Sequence, residues 1–425
     1  MIVVGGGTAG CVLAGRLSQD AGRTVCLVEA GPDYGPRGSG RWPSDLLDGG
    51  RLAFSHAWET DREDRSQLRA RVLGGCSAHN ACVALRGLPG DYDWGDGWSY
   101  EALEPYFERV ERELRVRQIE ENELSPFHAA FAAAGGAETI VHEVNMVDGV
   151  RWNAAFAYVD PARERANLTI LANTLVDRVV HDGERAAAVV TSGGELRGAT
   201  VVLAASAYGT PAILLRSGIT HLPVGESLAD HVGTGIGWRQ TSRLDDELAA
   251  AGGAFPMAQV TISRHEAQSF LLPGLDKTAA GYEISAGAFA MAPRSRGRVR
   301  LNGAAPETPL AIEHGFLSDP ADAEEVAEGI EALREIAASP EVSPYVAEEV
   351  RPGLAVPALD HARATARGFF HPVGTCALGA VTGPDGRVQG FENLYVADAS
   401  FVPVLPRANT NLTVAAVAER LAEGI

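Results

Sequence analysis

The chain is poor in the residues that build disulfide scaffolds and zinc sites. Its 425 residues include only five cysteines, which are scattered along the sequence and form no C-x-x-C pair. An odd number of cysteines at irregular spacing is typical of neither a disulfide framework nor a structural zinc site. This cysteine usage favours a reducing compartment, and we expect a cytoplasmic protein.

Basic residues are scarce relative to acidic ones. Lys and Arg total 36 against 55 Asp and Glu, which gives a formal net charge of −19. Binding to nucleic acid or to an anionic membrane surface requires clustered positive charge, so we expect neither kind of partner. We interpret the acidity as that of a well-hydrated surface.

Long apolar runs, internal repeats and low-complexity segments are missing as well. No stretch approaches the ~20 apolar residues that span a bilayer, and no basic-then-apolar leader precedes the opening MIVV. We therefore predict no membrane span. The sequence leaves open an export signal that was removed before the first residue. The length and the 46% hydrophobic content are typical of a globular protein of two or three domains.

The first thirty residues follow the pattern of a dinucleotide-binding βαβ unit. A short apolar strand leads into GGGTAG, residues 5–10, and the next apolar residues recur at helical spacing. In the fingerprint G-x-G-x-x-G, Gly5 permits the turn, Gly7 the approach of a pyrophosphate and Gly10 close packing of helix on strand. The second strand ends at Glu29, which can accept hydrogen bonds from a ribose. The pattern predicts a nucleotide at the helix N-terminus but does not separate FAD from NAD.

The last thirty residues predict a second approach to the same ligand. LYVADAS, residues 394–400, favours a strand with Asp398 at its carboxyl end. An amphipathic helix follows, with Asn409 or Thr410 as its expected N-cap. Ligands of parallel sheets collect at the carboxyl ends of the strands. We therefore expect Asp398 and the start of this helix to meet the cofactor that binds the first turn.

Six ordered motifs resemble those of the glucose–methanol–choline (GMC) oxidoreductases along essentially the whole chain. They are GGGTAG with VEAG, RVLGGCSAHN, SAYGTPAILLRSGI, LPVGESLADH, HPVGTCALG, and LYVADAS with NTNLT. The resemblance implies FAD as cofactor and oxidation of an alcohol by hydride transfer. It also implies an α/β fold, in which a doubly wound, Rossmann-like FAD-binding domain is joined to a second α+β domain built on an antiparallel sheet. Thr220 stands where the second family signature usually closes on glycine.

Within RVLGGCSAHN, His79 occupies a position that is aliphatic in most members of the family. In the branch that this string resembles, that of choline oxidase, a histidine stands there and is bonded covalently to the flavin 8α-methyl group. The resemblance thus implies that His79 tethers FAD, and the alternative is a buried histidine satisfied by a backbone carbonyl. Ala81 replaces a small hydroxyl residue of choline oxidases, which puts choline itself in doubt.

Other residues are assigned to the cofactor by their positions in these motifs. Asn80 and the backbone N–H groups around it are expected to approach the flavin, as is Ala81. The further expected contacts are Thr8, Ala9, Ala30, Gly74, Gly75, Ser77, Val176, Ala399 and Thr410. His221 and His231 flank LPVGESLADH without metal-ligand spacing, so we interpret both as structural and expect no metal site.

His371 and Asn409 are the candidate catalytic residues. Alcohol oxidation needs a base for the hydroxyl proton and a polar group that orients the oxygen. His371, within GFFHPVGTCALG, matches the active-site histidine of the family, and Asn409 matches its partner. We expect His371 to act as the base, or at least to stabilise the alkoxide, and Asn409 to act as the orienting donor, with the hydride passing to flavin N5. The alcohol stays unidentified, and the electron acceptor is oxygen or another oxidant.

Three other functions stay open. A hydroxynitrile lyase would use the same fold and FAD without net redox chemistry. A non-catalytic flavin-binding protein would need neither His371 nor Asn409. The first motif alone also allows a nicotinamide-dependent dehydrogenase, which the Asp398 segment and His79 disfavour. Because the family includes monomers and dimers, we expect a monomer or a homodimer.

The motifs divide the chain into an interrupted FAD-binding domain and an inserted substrate domain. We predict the FAD-binding domain at residues 1–235 and 366–425, and the substrate domain at 236–365. The insert contains the strand-like segments MAQVTISR, YEISAGAFAM and RGRVRLNG. Surface helices are predicted over 95–116 and 321–338.

Overall fold

The computed structural model describes residues 1–58, 68–95, 97–251, 255–278 and 281–425, with the side chains of 276–278 and 281–282 left out. Its α-helices are α1 (Thr8–Leu17), α2 (Ser44–Leu47), α3 (Tyr100–Glu113), α4 (Pro126–Gly135), α5 (Ser206–Arg216), α6 (Ser242–Ala251), α7 (Pro320–Ala337), α8 (Ala358–Thr365) and α9 (Thr410–Gly424). Its strands are β1 (Ile2–Val4), β2 (Val25–Val28), β3 (Arg117–Gln118), β4 (Thr139–Val141), β5 (Glu143–Val144), β6 (Met146–Val147), β7 (Val150–Arg151), β8 (Leu168–Leu171), β9 (Val176–His181), β10 (Ala186–Thr191), β11 (Gly194–Arg197), β12 (Val201–Leu203), β13 (Val232–Gln240), β14 (Val260–Arg264), β15 (Ser269–Thr278), β16 (Gly281–Ala290), β17 (Arg298–Arg300), β18 (Ala311–Glu313), β19 (Val346–Arg351), β20 (Arg367–Gly368) and β21 (Leu394–Val396).

The first large sheet is fully parallel and has the strand order β21-β12-β1-β2-β8. Val3 at its centre pairs with Val202 on one side and Leu27 on the other, and all three are buried. Continuous apolar strands of this kind occur in parallel sheets covered on both faces. Helices α1 and α9 pack against each other in the same buried core. The Rossmann-like part of the expected fold is confirmed.

The second large sheet is antiparallel and has the order β19-β13-β16-β15-β14-β4, with β20 pairing with β13 beside β19. Helix α7 packs on it and contributes Ile330 and Leu333 to a core with Leu271 and Ile284. The α+β part of the expected fold is therefore also confirmed.

The elements expected from sequence patterns form with small shifts in their ends. Helix α7 begins and ends one residue before the predicted 321–338, and α3 covers Tyr100–Glu113 of the predicted 95–116, of which residue 96 lies outside the described residues. The three strand-like segments of the insert form β14, β16 and β17. Helix α9 starts at Thr410 with Asn409 as its N-cap residue.

The antiparallel sheet takes in chain from outside the predicted insert. Strand β4, the start of β13 and the short β20 all lie beyond residues 236–365. Buried apolar side chains nevertheless form two large clusters, one around the parallel sheet and one around the antiparallel sheet. Two cores fit a division into two domains, whose limits at 235 and 365 stay predictions.

In the described part of the chain, none of the helices combines the length and the apolar character needed to cross a membrane.

Candidate active site

A cavity of about 540 Å³ lies between the two large sheets. On one side it is lined at the carboxyl ends of β1, β2, β12 and β21, where the chain leaves the parallel sheet at Gly5, Glu29, Ala204 and Asp398. On the other side it is lined by β13, β15 and β16 of the antiparallel sheet. The carboxyl-end position is where parallel sheets bind nucleotides.

Most of the predicted site residues meet in this cavity. The lining includes His371 and Asn409 together with Gly5, Gly7, Thr8, Ala9, Glu29, Ala30, Gly75, His79, Asn80, Ala81, Val176, Asp398, Ala399 and Thr410. Gly10, Gly74 and Ser77 lie behind the lining and shape it. A Cβ at Gly10 would collide with the carbonyl oxygen of Gly5, and the Ser77 hydroxyl donates to the carbonyl of Gly74 at 2.6 Å.

The first turn and the RVLGGCSAHN segment approach each other at two glycines, Gly7 and Gly75, which form a glycine cradle. Gly75 has φ +54°, and a Cβ there would lie 2.5 Å from Cα of Gly7. Gly7 is also the N-cap residue of α1 and brings no side chain to satisfy the first N–H groups of the helix. These donors and the helix dipole favour an anionic group. The cradle therefore fits the pyrophosphate of FAD.

Two buried carboxylates hold the loops around this cradle. Glu29 accepts hydrogen bonds from the backbone N–H groups of Gly6 and Gly31, both at 2.7 Å, and burial raises its pKa to about 7. Asp398 accepts from the backbone N–H of Ser206 at 2.9 Å and from the Thr210 hydroxyl at 2.5 Å. Burial also raises the pKa of Asp398. Each Glu29 oxygen accepts one of these two bonds and has a further lone pair for a ribose hydroxyl, whereas each Asp398 oxygen already accepts two bonds, those on Oδ1 coming from Ser400.

His79 ends the short 3-10 turn Gly75–Ala78 and is buried in the cavity wall. The chain on either side of it is fixed by the buried guanidinium of Arg151, which donates to the carbonyl oxygens of Ala78 at 3.0 Å and Asn80 at 2.8 Å. The same guanidinium bonds carbonyl groups of the loop 45–51. The backbone on both sides of His79 is therefore held by the Arg151 network.

His371 is held between a second histidine and an asparagine. Its Nδ1 lies 2.9 Å from Nδ1 of His231, and its Nε2 lies 3.2 Å from Nδ2 of Asn409. His231 Nε2 is 3.0 Å from the carbonyl oxygen of Pro406, which can only accept, so His231 carries its proton on Nε2. The unprotonated Nδ1 of His231 then accepts from Nδ1–H of His371. This leaves Nε2 of His371 with a lone pair at the cavity.

Burial keeps both imidazoles neutral. It lowers the pKa of His231 to about 3, and burial, with a smaller effect of His231, lowers the pKa of His371 well below 6.5. The backbone N–H of His371 donates to buried Asp230 at 2.9 Å, next to Phe370, which has φ +65°. The edge of Phe369 faces the His371 ring with 4.7 Å between centroids. The local backbone and the aromatic neighbour thus fix the direction of the imidazole.

The predicted N-cap residue Asn409 has a different local role. It occupies the N-cap position of α9, but its side chain makes no capping hydrogen bond and is directed to His371. Thr8 at the start of α1 donates to Asn411 at the start of α9 at 2.8 Å. The two helix N-termini are therefore joined at the cavity.

Sequence reasoning interpreted His231 as structural and missed its contact with His371. The LPVGESLADH motif carried a signal, since it is one of the six family motifs. Nothing in its spacing, however, shows that antiparallel pairing of Ala229 with Val373 brings it beside HPVGTCALG. The start of α5, where Ser206 and Thr210 donate to Asp398, belongs to the motif SAYGTPAILLRSGI, but neither residue was assigned to the site.

The parallel sheet and the glycine cradle at the carboxyl ends of its strands define a protein of the dinucleotide-binding class. The family model of the GMC oxidoreductases matches residues 1–233 with its N-terminal part and residues 293–418 with its C-terminal part. The chain belongs to the GMC oxidoreductase family, and the expected family, fold and FAD cofactor are confirmed.

Individual relatives agree with this assignment. An alcohol dehydrogenase [acceptor] of Pseudomonas putida is 30% identical over 529 aligned positions, which cover 99% of this chain and 94% of the relative. A choline oxidase of Arthrobacter globiformis is 30% identical, and the alignment covers 99% of this chain and 93% of that enzyme. The crystal structure of pyridoxine 4-oxidase from Mesorbium loti superposes with a TM-score of 0.87 at 25% identity, over 99% of this chain and 98% of that one. The protein is an FAD-dependent oxidoreductase that acts on the CH–OH group of an alcohol.

Proposed function

We propose that His371 removes the hydroxyl proton of the alcohol while Asn409 orients the alcohol oxygen. The observation that carries this proposal is the neutral His371 ring, whose Nδ1–H is committed to His231 and whose Nε2 is an acceptor at the cavity. A neutral imidazole fixed in this tautomer can take a proton at neutral pH. The alternative, a satisfied core histidine, would leave no ring nitrogen at a cavity.

The asparagine supplies a donor for the charge that develops on the alcohol oxygen. Nε2 of His371 has one lone pair, so the alcohol hydroxyl would displace the Asn409 N–H from it, and Nδ2 of Asn409 would then donate to the alcohol oxygen. As the hydroxyl proton moves to Nε2 of His371, the oxygen becomes more negative and its hydrogen bond to Asn409 strengthens. Bound FAD would supply the acceptor for the hydride that leaves the same carbon, which yields a carbonyl product.

Aromatic side chains shield this proton transfer from water. Phe289 and Phe369 stack with 4.1 Å between ring centroids, and both line the cavity. A drier surrounding strengthens the hydrogen bonds to the reacting oxygen.

We further propose that His79 holds FAD through a covalent bond, as its place in the cavity wall and its resemblance to the choline-oxidase branch support. An imidazolyl substituent on the flavin withdraws electron density and favours hydride acceptance. In acid-precipitated wild-type protein the yellow colour should stay in the pellet, whereas in His79→Ala it should move to the supernatant. Colour in the wild-type supernatant would remove the tether.

The remaining parts of the proposal are a cytoplasmic location, a monomeric or homodimeric state, and oxygen or another oxidant as electron acceptor. None of the five cysteines, all of which are described, takes part in a disulfide, which supports a reducing compartment.

The anaerobic visible spectrum tests the catalytic proposal. Adding primary alcohols should bleach the flavin band near ~450 nm, and admitting air should then separate an oxidase from a dehydrogenase. His371→Ala should keep its flavin but lose bleaching, while His221→Ala, at an exposed histidine outside the cavity lining, should behave as wild type. A flavin that stays oxidised with every alcohol would instead favour the hydroxynitrile lyase or a non-catalytic flavin-binding protein.

A further inference from the structure

We propose that the substrate is an alcohol that carries an anionic group, a carboxylate or a phosphate, recognised by Arg351 and Arg367. The inference rests on the proposed alcohol oxidation and goes beyond it by naming the chemical class of the substrate. It starts from the substrate wall, by which we mean the cavity lining contributed by the antiparallel sheet.

Strand β13 gives the substrate wall a stripe without side chains. Its sequence VGTGIGWRQ places Gly233, Gly235 and Gly237 at alternate positions, and alternate residues of a strand share one face. This face is the cavity face, because Gly235 and the partners Ser285, Gly287 and Phe289 on β16 all line the cavity. Gly235 at the centre of the stripe lines the cavity, whereas the ring of Phe289 covers Gly233 and the guanidinium of Arg351 lies over Gly237.

An arginine stands at each end of this stripe. Arg367 on β20 pairs with Gly233, and Arg351 on β19 pairs with Gly237, both at the same edge of β13. Directly paired residues project from the same face, so both side chains share the cavity face. Nη2 of Arg351 lies 3.3 Å from the point that a Cβ of Gly237 would occupy, and both arginines line the cavity. Four residues of strand separate the two ends, or ~13 Å.

Neither arginine has an anionic partner among the described side chains. No ion pair or side-chain hydrogen bond joins Arg351 or Arg367 to any of them, whereas Arg239, two residues along the same face of β13, pairs with Glu348 at 3.2 Å. A guanidinium has five donors and binds carboxylate or phosphate groups with two parallel hydrogen bonds. Both arginines are exposed, and each therefore offers such a pair of donors to an anionic group at its own end of the stripe.

The acidic residues that line the cavity belong to its nucleotide side. Glu29 and Asp398 follow strands of the parallel sheet, and Glu307 lies close enough to Arg216, at the end of α5, to affect its pKa. Among the described residues of the substrate wall, the charged side chains are the two arginines. In a chain with net charge −19, this local positive charge favours an anionic substrate and disfavours a quaternary ammonium such as choline.

The test compares alcohols that differ in charge but not in the reacting group. The holoenzyme is reduced anaerobically with 4-(hydroxymethyl)benzoate, 4-methylbenzyl alcohol and choline, and in a second series with glycerol 3-phosphate and glycerol. We expect an anionic alcohol to give a second-order rate constant of flavin reduction at least about tenfold above that of its neutral analogue. The first series tests a carboxylate and the second a phosphate. A preference for the neutral alcohols or for choline would overturn the proposal.

Arginine variants test whether the two guanidinium groups cause the preference. Arg351→Gln and Arg367→Gln should each lower the ratio of the rate constant for the anionic alcohol to that for the neutral alcohol by about threefold to tenfold. Arg239→Gln is the matched control and should not alter this ratio. Should one variant fail to hold flavin, the other carries the same test. An unchanged preference in the correctly folded variants would also overturn the proposal.

A binding measurement separates this inference from the proposed function. The inert carboxylate 4-methylbenzoate should perturb the oxidised flavin spectrum of the wild type, with a dissociation constant about tenfold weaker in the double arginine variant. If no alcohol bleaches the flavin but this arginine-dependent binding is seen, the oxidation proposal fails and the anion site stands. If neutral alcohols bleach the flavin and 4-methylbenzoate binding ignores the arginines, oxidation stands and the anion site falls.

Discussion

His231 lies with its Nδ1 2.9 Å from Nδ1 of His371, and the carbonyl of Pro406 behind it decides which ring donates. Because that carbonyl takes the Nε2 proton of His231, His231 must accept from His371. The proton on His371 is thereby kept away from the cavity. We infer that His231 is a positioning residue for the base.

Replacing His231 tests this relationship. His231→Asn keeps an acceptor oxygen at the place of Nδ1 for the Nδ1–H of His371, whereas His231→Leu removes it and allows the other tautomer. We expect anaerobic flavin reduction to fall by about a hundredfold in the leucine variant and less than about tenfold in the asparagine variant. Equal losses in both variants, at unchanged flavin content, would contradict the positioning role.

The pH profile of flavin reduction follows from the depressed pKa of His371. Burial keeps this imidazole unprotonated until the pH falls well below 6.5, so the base is lost only in more acidic solution. We expect the second-order rate constant of flavin reduction to stay on its plateau through pH 6.5. The buried carboxylate of Asp230 accepts a hydrogen bond from the backbone N–H of His371, and burial raises its pKa to about 7. Protonation of Asp230 would therefore add a second acid limb to the pH profile. Asp230→Asn is therefore measured alongside, and an acid limb near 6.5 that persists in it would contradict the prediction.

The fold was largely predictable from the sequence because its signals are local. The glycine turn at residues 5–10, the apolar strands and the helix periodicity of α7 and α9 all depend on neighbours within a few turns of chain. Most of the predicted cofactor residues line the cavity because family motifs fix their positions, while their contacts with FAD stay predictions. His231 and the arginines 351 and 367 did not follow, since their roles arise from strand pairings between distant segments. A single sequence contains no spacing that shows such pairings.

Arg151 is expected to stabilise the segment that carries His79. Its buried guanidinium bonds carbonyl groups of the loop 45–51 and of Ala78 and Asn80, and methionine would leave these acceptors unpaired. We expect Arg151→Met to lower the free energy of unfolding by at least about 3 kcal/mol, measured by urea denaturation. Arg151→Lys, with three donors, should lie between the wild type and Arg151→Met. Wild-type stability in Arg151→Met would show that water replaces these hydrogen bonds.

The glycine cradle gives a prediction about cofactor binding that is independent of catalysis. A methyl group at Gly75 would lie 2.5 Å from Cα of Gly7, in a segment whose φ of +54° also disfavours any L side chain. The two loops must then separate, and the space shaped for the pyrophosphate changes. We expect Gly75→Ala to be purified with little flavin, measured from the ratio of visible to ultraviolet absorbance.

Strain alone has to be separated from the loss of this close approach, and Gly40 provides the control. It has φ +70°, it is exposed, and a methyl group added there would meet no described atom within 4 Å. Gly40→Ala should therefore lose about 1 kcal/mol of stability from the backbone conformation while keeping its flavin. If Gly75→Ala also keeps its flavin at a similar loss of stability, the contact between Gly7 and Gly75 does not shape the cofactor site. Flavin loss confined to Gly75→Ala would tie cofactor binding to this pair of glycines.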